Sequence, residues 1–167
     1  VQPRPLRVRS CAQEAPQRSP RVRLFVDTSG WVALTWRLDP DHRHAARFLS
    51  DDLRGVHLVT SEAVLGETLT ALRIRANHQL ACSFLDSLTS QRNLAEIVYA
   101  DPALCSEAHE IFRKTSDQDF SYIDCLSFAI MRRLRIPEAL TFDAHFARFG
   151  FIMRPGVRPR GGGRRDA

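Results

Sequence analysis

Short apolar runs alternate with longer amphipathic stretches along the body of this chain. The apolar runs are strand candidates, and they cover residues 22–27, 56–60, 95–99, 139–142 and 151–153. The stretches around and between them are helix candidates, at about 29–37, 41–53, 61–75, 78–91, 102–114 and 121–135. Strands that are joined through helices lie parallel in one sheet, and the helices cover its faces. The alternation therefore predicts an α/β fold, a three-layer α/β/α sandwich around a parallel sheet.

Charge divides the 167 residues into a body and two tails. The net charge is +5, yet residues 1–23 alone contribute +5 and residues 154–167 contribute +4, which leaves the body at −4. Both ends are rich in Arg and Pro, the second also in Gly, and they hold too few apolar side chains to fold alone. We predict a disordered basic extension over 1–21, one folded domain over 22–155 and a disordered Gly/Arg-rich tail over 156–167. These tails either bind nucleic-acid phosphates without sequence preference or are solvated extensions.

Several protein classes are disfavoured by what the sequence lacks. No apolar run reaches the roughly 18 residues of a membrane-spanning helix, and the basic N-terminal segment lacks the apolar stretch of a secretory signal. We therefore expect a cytoplasmic protein without a membrane partner. The four cysteines lack the paired spacing of zinc sites, and His42 and His44 have no cysteine pair beside them. No Gly-rich phosphate-binding loop is found, so a nucleotide cofactor is not expected.

Four carboxylates occupy positions that favour a shared site. Asp27 follows the first apolar run and Asp143 follows the fourth, whereas Glu67 lies within a helical stretch and Asp124 opens another. A residue just past a buried parallel strand lies at the rim of the sheet where ligands bind. Acids that converge there repel one another unless a hard cation such as Mg²⁺ or Mn²⁺ joins them. We predict a metal site with Asp27 and Asp124 as direct ligands, and with Glu67 and Asp143 binding a second ion or acting through water.

Each acid also has a purely structural interpretation. Asp27 could cap the helix that follows it, Glu67 could be solvated, and Asp143 could be a turn residue that leaves a strand. Asp124 is the last residue of an S-x-x-D pattern that begins at Ser121, which is typical of a helix capping box. Taken together, two acids at strand ends and two on helices in one small α/β domain favour the shared site.

Four segments carry these acids, in the order LFVDTSGWVAL, TSEAVLGETLTALR, DQDFSYIDCLSFAIMRRLRI and EALTFDAHFARFGF. In order and approximate spacing they resemble the four acidic motifs of PIN-domain ribonucleases, in particular the VapC-type toxins of bacterial toxin-antitoxin pairs. The resemblance covers about 22–153. It implies a central parallel sheet of about five strands, with an acidic pocket formed by Asp27, Glu67, Asp124 and Asp143 at the carboxyl ends of the strands.

The resemblance also implies a function and partners. We expect an endoribonuclease toxin that uses Mg²⁺ or Mn²⁺ to activate water against a phosphodiester, leaving a 5′-phosphate and a 3′-hydroxyl. Its partners would be RNA, a cognate antitoxin that covers helices around 29–53 and 61–75, and a second copy of the chain in a homodimer. For His145, in the TFDAHF stretch, we expect an RNA contact or a packing role rather than that of a general base.

Two other functions stay open at this point. The domain could bind RNA or an antitoxin with a silent pocket, although the presence of all four acids weighs against that. It could also be a Mg²⁺-dependent phosphohydrolase of small phosphates. The sequence after Asp27 disfavours this alternative, because the DxDxT signature of the common aspartyl-phosphate enzymes is absent.

Overall fold

A five-stranded, fully parallel sheet forms the centre of the domain. The computed structural model describes residues 22–51, 55–90 and 95–156. The strands are β1 (Arg23–Val26), β2 (His57–Ser61), β3 (Glu96–Val98), β4 (Glu138–Leu140) and β5 (Ile152–Arg154). They lie in the order β3-β2-β1-β4-β5, and each neighbouring pair is parallel. Each predicted strand is confirmed to within two residues at its ends.

Helices fill the connections between the strands. They are α1 (Thr28–Thr35), α2 (His42–Asp51), α3 (Glu62–Arg75), α4 (His78–Ser90), α5 (Pro102–Lys114), α6 (Tyr122–Leu134) and α7 (Ala144–Phe149). The first six match the predicted helices closely. Helix α7 was not predicted, because six residues make fewer than two turns and show no clear period. Among the described residues, no helix is long and apolar enough to cross a membrane.

The order of the strands places the two groups of helices on opposite faces. The chain moves outward from β1 through β2 to β3, and then returns past β1 to form β4 and β5. Crossovers between parallel strands are right-handed, so this reversal of direction moves the later helices to the other face. Consistently, α1 packs against α2 and α3, and α3 packs against α4, whereas α6 packs against α5 and α7. The three-layer α/β/α sandwich is confirmed.

Aromatic side chains join α6 and α7 to the sheet. Phe128 of α6 stacks on Phe149 at the end of α7 with 4.1 Å between ring centroids, and it meets Phe146 edge-on at 5.1 Å. Phe146 in turn stacks against Phe25 of β1. Helix α6 is buried over eight consecutive residues, from Asp124 to Met131, whereas α2 buries only Ala45. The segment that begins with Asp124 is therefore fixed firmly by the core.

Gly30 allows α1 to begin directly beside β4. A Cβ atom added at this buried glycine would lie 2.3 Å from the carbonyl oxygen of Leu140, well inside van der Waals contact. The amide of Asp27 donates to the same carbonyl oxygen at 3.1 Å. The absence of a side chain at Gly30 therefore allows the residues after β1 to lie directly against the end of β4. The predicted tails, 1–21 and nearly all of 156–167, lie outside the described residues.

Candidate active site

The four predicted acids line one cleft at the carboxyl ends of the central strands. Asp27 directly follows β1, Asp143 follows the neighbouring β4, Asp124 lies in the first turn of α6, and Glu67 lies within α3. The cleft has a volume of about 480 Å³. Strands β1 and β4 are the pair at which the direction of the chain across the sheet reverses, and ligands of open α/β sheets bind at such a switch point. The fold thus brings together the acids that the sequence analysis singled out.

Asp27 is a buried carboxylate held on one oxygen. Its side chain is only 5% exposed. Ser29 donates to Oδ2 from its hydroxyl at 2.9 Å and from its amide at 3.3 Å, and Thr141 donates at 3.1 Å. Burial raises the pKa of Asp27 to about 6, against the lowering effect of hydrogen bonds from Thr28, Ser29 and Thr141. The folded protein therefore holds a negative charge that it does not fully compensate.

Asp124 is both a helix cap and a member of the cleft. Its Oδ2 accepts from the Ser121 amide at 2.8 Å, and its own amide donates to the Ser121 hydroxyl at 3.0 Å. These reciprocal bonds form the capping box that the sequence predicts. The same Oδ2 also faces Nδ1 of His145 at 3.0 Å. Capping thus engages Oδ2 and not Oδ1, so the structural and the functional interpretations of Asp124 are compatible.

Asp143 and Glu67 border the same cleft from two different elements. Asp143 is the N-cap of α7, and its Oδ1 accepts from the amide of His145 at 2.9 Å. Glu67 is exposed, and its Oε2 accepts from the Thr28 hydroxyl at 2.5 Å. This bond connects α3 to the start of α1, directly beside Asp27.

His145 lies within the acidic cluster, which the sequence analysis did not foresee. Its ring is 16% exposed, with Nδ1 at 3.0 Å from Oδ2 of Asp124 and 3.5 Å from Oδ2 of Asp143. Carboxylate oxygens only accept hydrogen bonds, so Nδ1 is the donor to Asp124. The signal that could have located it is the spacing D-x-H at a helix start. Because α7 was not predicted, that signal could not be used.

The donor atoms of the cluster suit a hard divalent cation. One atom from each of Asp124, Asp143 and His145 lies within 4.8 Å of the other two. In Asp27, Asp124 and Glu67, the side-chain hydrogen bonds described above all go to a single oxygen of the carboxylate. The other oxygen is then available as a ligand. Carboxylate oxygens with at most one imidazole are typical ligands of Mg²⁺ and Mn²⁺, so the residues fit such an ion.

Comparisons with known proteins agree with this geometry. The family model of the PIN domain matches residues 24–152. The chain is 36% identical over 136 residues to the 23S rRNA-specific endonuclease VapC20 in two strains of Mycobacterium tuberculosis, covering 81% of this chain and 98% of that protein. The crystal structure of M. tuberculosis VapC20, described as a sarcin-ricin loop cleaving toxin, superimposes with a TM-score of 0.72 at 33% identity and covers 81% of this chain and 99% of its own. The chain therefore belongs to the PIN-domain family, and it is a ribonuclease of the VapC toxin type.

Proposed function

We propose that this chain uses a divalent cation to cut a loop of large-subunit ribosomal RNA. The observation that carries the proposal is the single cleft into which Asp27, Glu67, Asp124 and Asp143 all project. The choice of RNA rests on similarity to VapC20, which is named for 23S rRNA and described as cleaving the sarcin-ricin loop.

In this proposal each acid has a separate task. Asp27 and Asp124 would hold the cation through the oxygens that accept none of the bonds described above, and Asp143 would supply a third ligand. When bound, the cation acts as a Lewis acid that activates water and offsets charge on the phosphate. Glu67, held by Thr28 through Oε2, offers its other oxygen to the attacking water or to a second ion. Cleavage leaves a 5′-phosphate and a 3′-hydroxyl.

A cleavage assay on an RNA hairpin that contains the sarcin-ricin loop tests this proposal. The hairpin should be cut with Mg²⁺ or Mn²⁺ and left intact in EDTA, and a hairpin with the same stem and an altered loop should be cut far more slowly. Asp27→Asn should lower the rate by roughly 100-fold or more, as expected when a group that stabilises transition-state charge is lost. Asp117→Asn, which alters an exposed acid outside the cleft, is the matched control.

Three results would separate this proposal from its alternatives. Cleavage that persists in EDTA would contradict metal dependence. Hydrolysis of a small phosphate ester at a comparable rate would favour the small-phosphate activity. If both hairpins are cut at equal rates, the protein is still a ribonuclease but has no preference for this loop.

Asp124→Asn has a distinct expected result, because Asp124 also caps α6. The variant should lose activity and also up to about 1 kcal/mol of stability, because the amide oxygen of Asn accepts from the Ser121 amide more weakly than a carboxylate does. Thermal melts run beside the assay separate the two effects. A variant that melts early but cuts RNA at the wild-type rate would leave Asp124 with a structural role alone.

We infer that a partner antitoxin covers the helices beside this cleft. Helices α1, α2 and α3 pack together on one face of the sheet, and Ile74 on the cleft wall is 76% exposed. An apolar segment of the antitoxin would cover Ile74, and an Arg or Lys of that segment would pair with the acids where the cation otherwise binds.

Co-expression with the antitoxin tests this inference. Ile74→Asp should weaken copurification, whereas Phe112→Asp on α5, an exposed apolar side chain on the opposite face, should not. Mutating the basic residue of the antitoxin should restore cleavage. A tight complex that cuts RNA at full rate would contradict inhibition through the cleft. Mass measurement of the free protein in the same preparation tests the expected homodimer.

A further inference from the structure

The imidazole of His145 lies between two carboxylates. Nδ1 lies 3.0 Å from Oδ2 of Asp124, and Nε2 lies 3.2 Å from Oδ1 of Asp119. Asp119 precedes α6, is exposed, and also accepts from Arg148 of α7 at 2.9 Å. A line of alternating charged and polar groups therefore runs from the surface to a predicted metal ligand.

The protein fixes the orientation of this ring. The backbone amide of His145 donates to Asp143 at the start of α7, which sets the position of its Cα. Phe120 packs against the ring edge-on, with centroids 5.3 Å apart and planes at 70°. Phe120 is itself buried against Phe128 and Phe149 of the aromatic core. The ring is thus held by its backbone, by the contact with Phe120 and by polar groups beside both nitrogens.

The fixed ring of His145 restricts the side chain of Asp124. Its Oδ2 faces two donors, the amide of Ser121 and Nδ1 of His145. Two donors from different elements hold Oδ2 in one place, so rotation of the carboxylate about its Cβ–Cγ bond would break both bonds. Groups of this kind, which orient a ligand without touching the substrate, commonly alter metal affinity or turnover by 10–100-fold.

We propose that His145 is a positioning residue that fixes the carboxylate of Asp124 through a bond from Nδ1 to Oδ2, which leaves Oδ1 for the cation. Asp119, itself held by Arg148, keeps the ring in place beside Nε2. The proposal rests on the metal-dependent ribonuclease function argued above. It assigns a role to Asp119, which lies outside the set of four acids.

Two amide substitutions distinguish this role from simple packing. The side-chain amide of Asn reaches about as far as Nδ1 of a histidine, and that of Gln reaches about as far as Nε2. His145→Asn should therefore retain a donor to Asp124, and its kcat should stay within about tenfold of wild type. His145→Gln and His145→Ala should lose about 10–100-fold in kcat with little change in KM for the RNA hairpin. If packing alone mattered, the longer Gln would be at least as well tolerated as Asn.

A second readout does not depend on RNA cleavage. Calorimetric titration of Mn²⁺ into the RNA-free protein should give the highest affinity for wild type, a lower one for His145→Asn, and the lowest for His145→Gln and His145→Ala. Asp119→Asn, which changes an exposed residue that the core does not need, should shift kcat and Mn²⁺ affinity in the same direction by less than His145→Ala. His57→Asn, at the opposite end of the sheet beside Glu96, is the matched control and should leave both unchanged.

The outcomes separate this proposal from the function on which it rests. Equal losses in the Asn and Gln variants, or an effect confined to KM, would overturn the positioning role. An Asp119→Asn variant identical to wild type in both readouts would overturn the outer part of the network. If the Mn²⁺ affinities of wild type and the variants fall in the expected order but the wild-type protein cuts no RNA, the positioning role stands and the proposed function fails.

Discussion

Replacing Asp27 by asparagine should stabilise the cation-free protein while it removes activity. Asp27 is 5% exposed, and its burial raises the pKa to about 6 from an ordinary value of 3.8. The folded state therefore favours the protonated form of Asp27, whereas the side chain is mostly ionised at pH 7. Asparagine has nearly the same shape and carries no charge, so the variant should fold without this conflict.

The magnitude follows from the linkage between proton binding and folding. Because the folded pKa lies above the unfolded one, the contribution of Asp27 is most favourable below about pH 4 and is lost as the pH rises through about 6. Each pKa unit corresponds to 1.36 kcal/mol, so a rise of the pKa from 3.8 to about 6 gives a cost of roughly 3 kcal/mol at pH 7.5. At pH 5 the same relation gives roughly half of that cost. The amide oxygen of Asn can take the place of Oδ2 and accept from Ser29 and Thr141, but it is a weaker acceptor than a carboxylate, so the gain should be about 1–2 kcal/mol at pH 7.5.

Urea unfolding in EDTA at the two pH values tests this reasoning. The free energy of unfolding of Asp27→Asn minus that of wild type should be positive at pH 7.5 and smaller by roughly 1 kcal/mol at pH 5. Taking the difference between the proteins cancels the titration of groups that do not interact with Asp27. Asp117→Asn, at an exposed site, should show no such change. A destabilised Asp27→Asn protein, or a difference that does not shrink at pH 5, would refute the account of Asp27 as a buried, uncompensated charge.

Three further predictions concern RNA binding and packing. Arg75 at the end of α3 lines the acidic cleft, whereas Arg73 two residues earlier does not. Arg75→Ala should weaken RNA binding and lower the slope of log affinity against log salt by about one, with Arg73→Ala as the control of equal charge. Removal of residues 1–20 and 156–167 should leave the fold and metal dependence intact. If these tails bind RNA, the slope of log affinity against log salt should become smaller, whereas an unchanged slope would show that they do not bind it. Gly30→Ala should destabilise the protein by more than about 2 kcal/mol in a denaturant melt, because its methyl group would meet a backbone oxygen of β4, and a wild-type melt would contradict the close approach described.

The sequence predicts the sheet well because each strand is a short apolar run with clear ends. Asp27 and Asp143 could be assigned to one rim for the same reason, since each directly follows such a run. Nothing in the sequence alone indicated which strands are neighbours, because strand order depends on the packing of the helices on each face. That order is what brings Asp27 beside Asp143.

The part of the site that escaped prediction depends on a short helix and on distant contacts. Helix α7 is too short for its periodicity to be recognised, so the direction of the His145 side chain could not be inferred. The bond between Thr28 and Glu67 joins residues 39 positions apart, and no local pattern encodes it. The capping box at Asp124 was recognised, but its compatibility with a place in the cleft became clear only once the bonds to each carboxylate oxygen were known.

The contrast in burial between α6 and α2 has a consequence for local opening of the chain. Helix α6 is buried over eight consecutive residues, whereas α2 buries one and packs mainly on α1. Amide hydrogens of α6 should exchange with solvent only through global unfolding, and those of α2 through local opening at much lower free energy. A protease should therefore cut first within or beside α2, and Asp124 should keep its place while α2 detaches and returns.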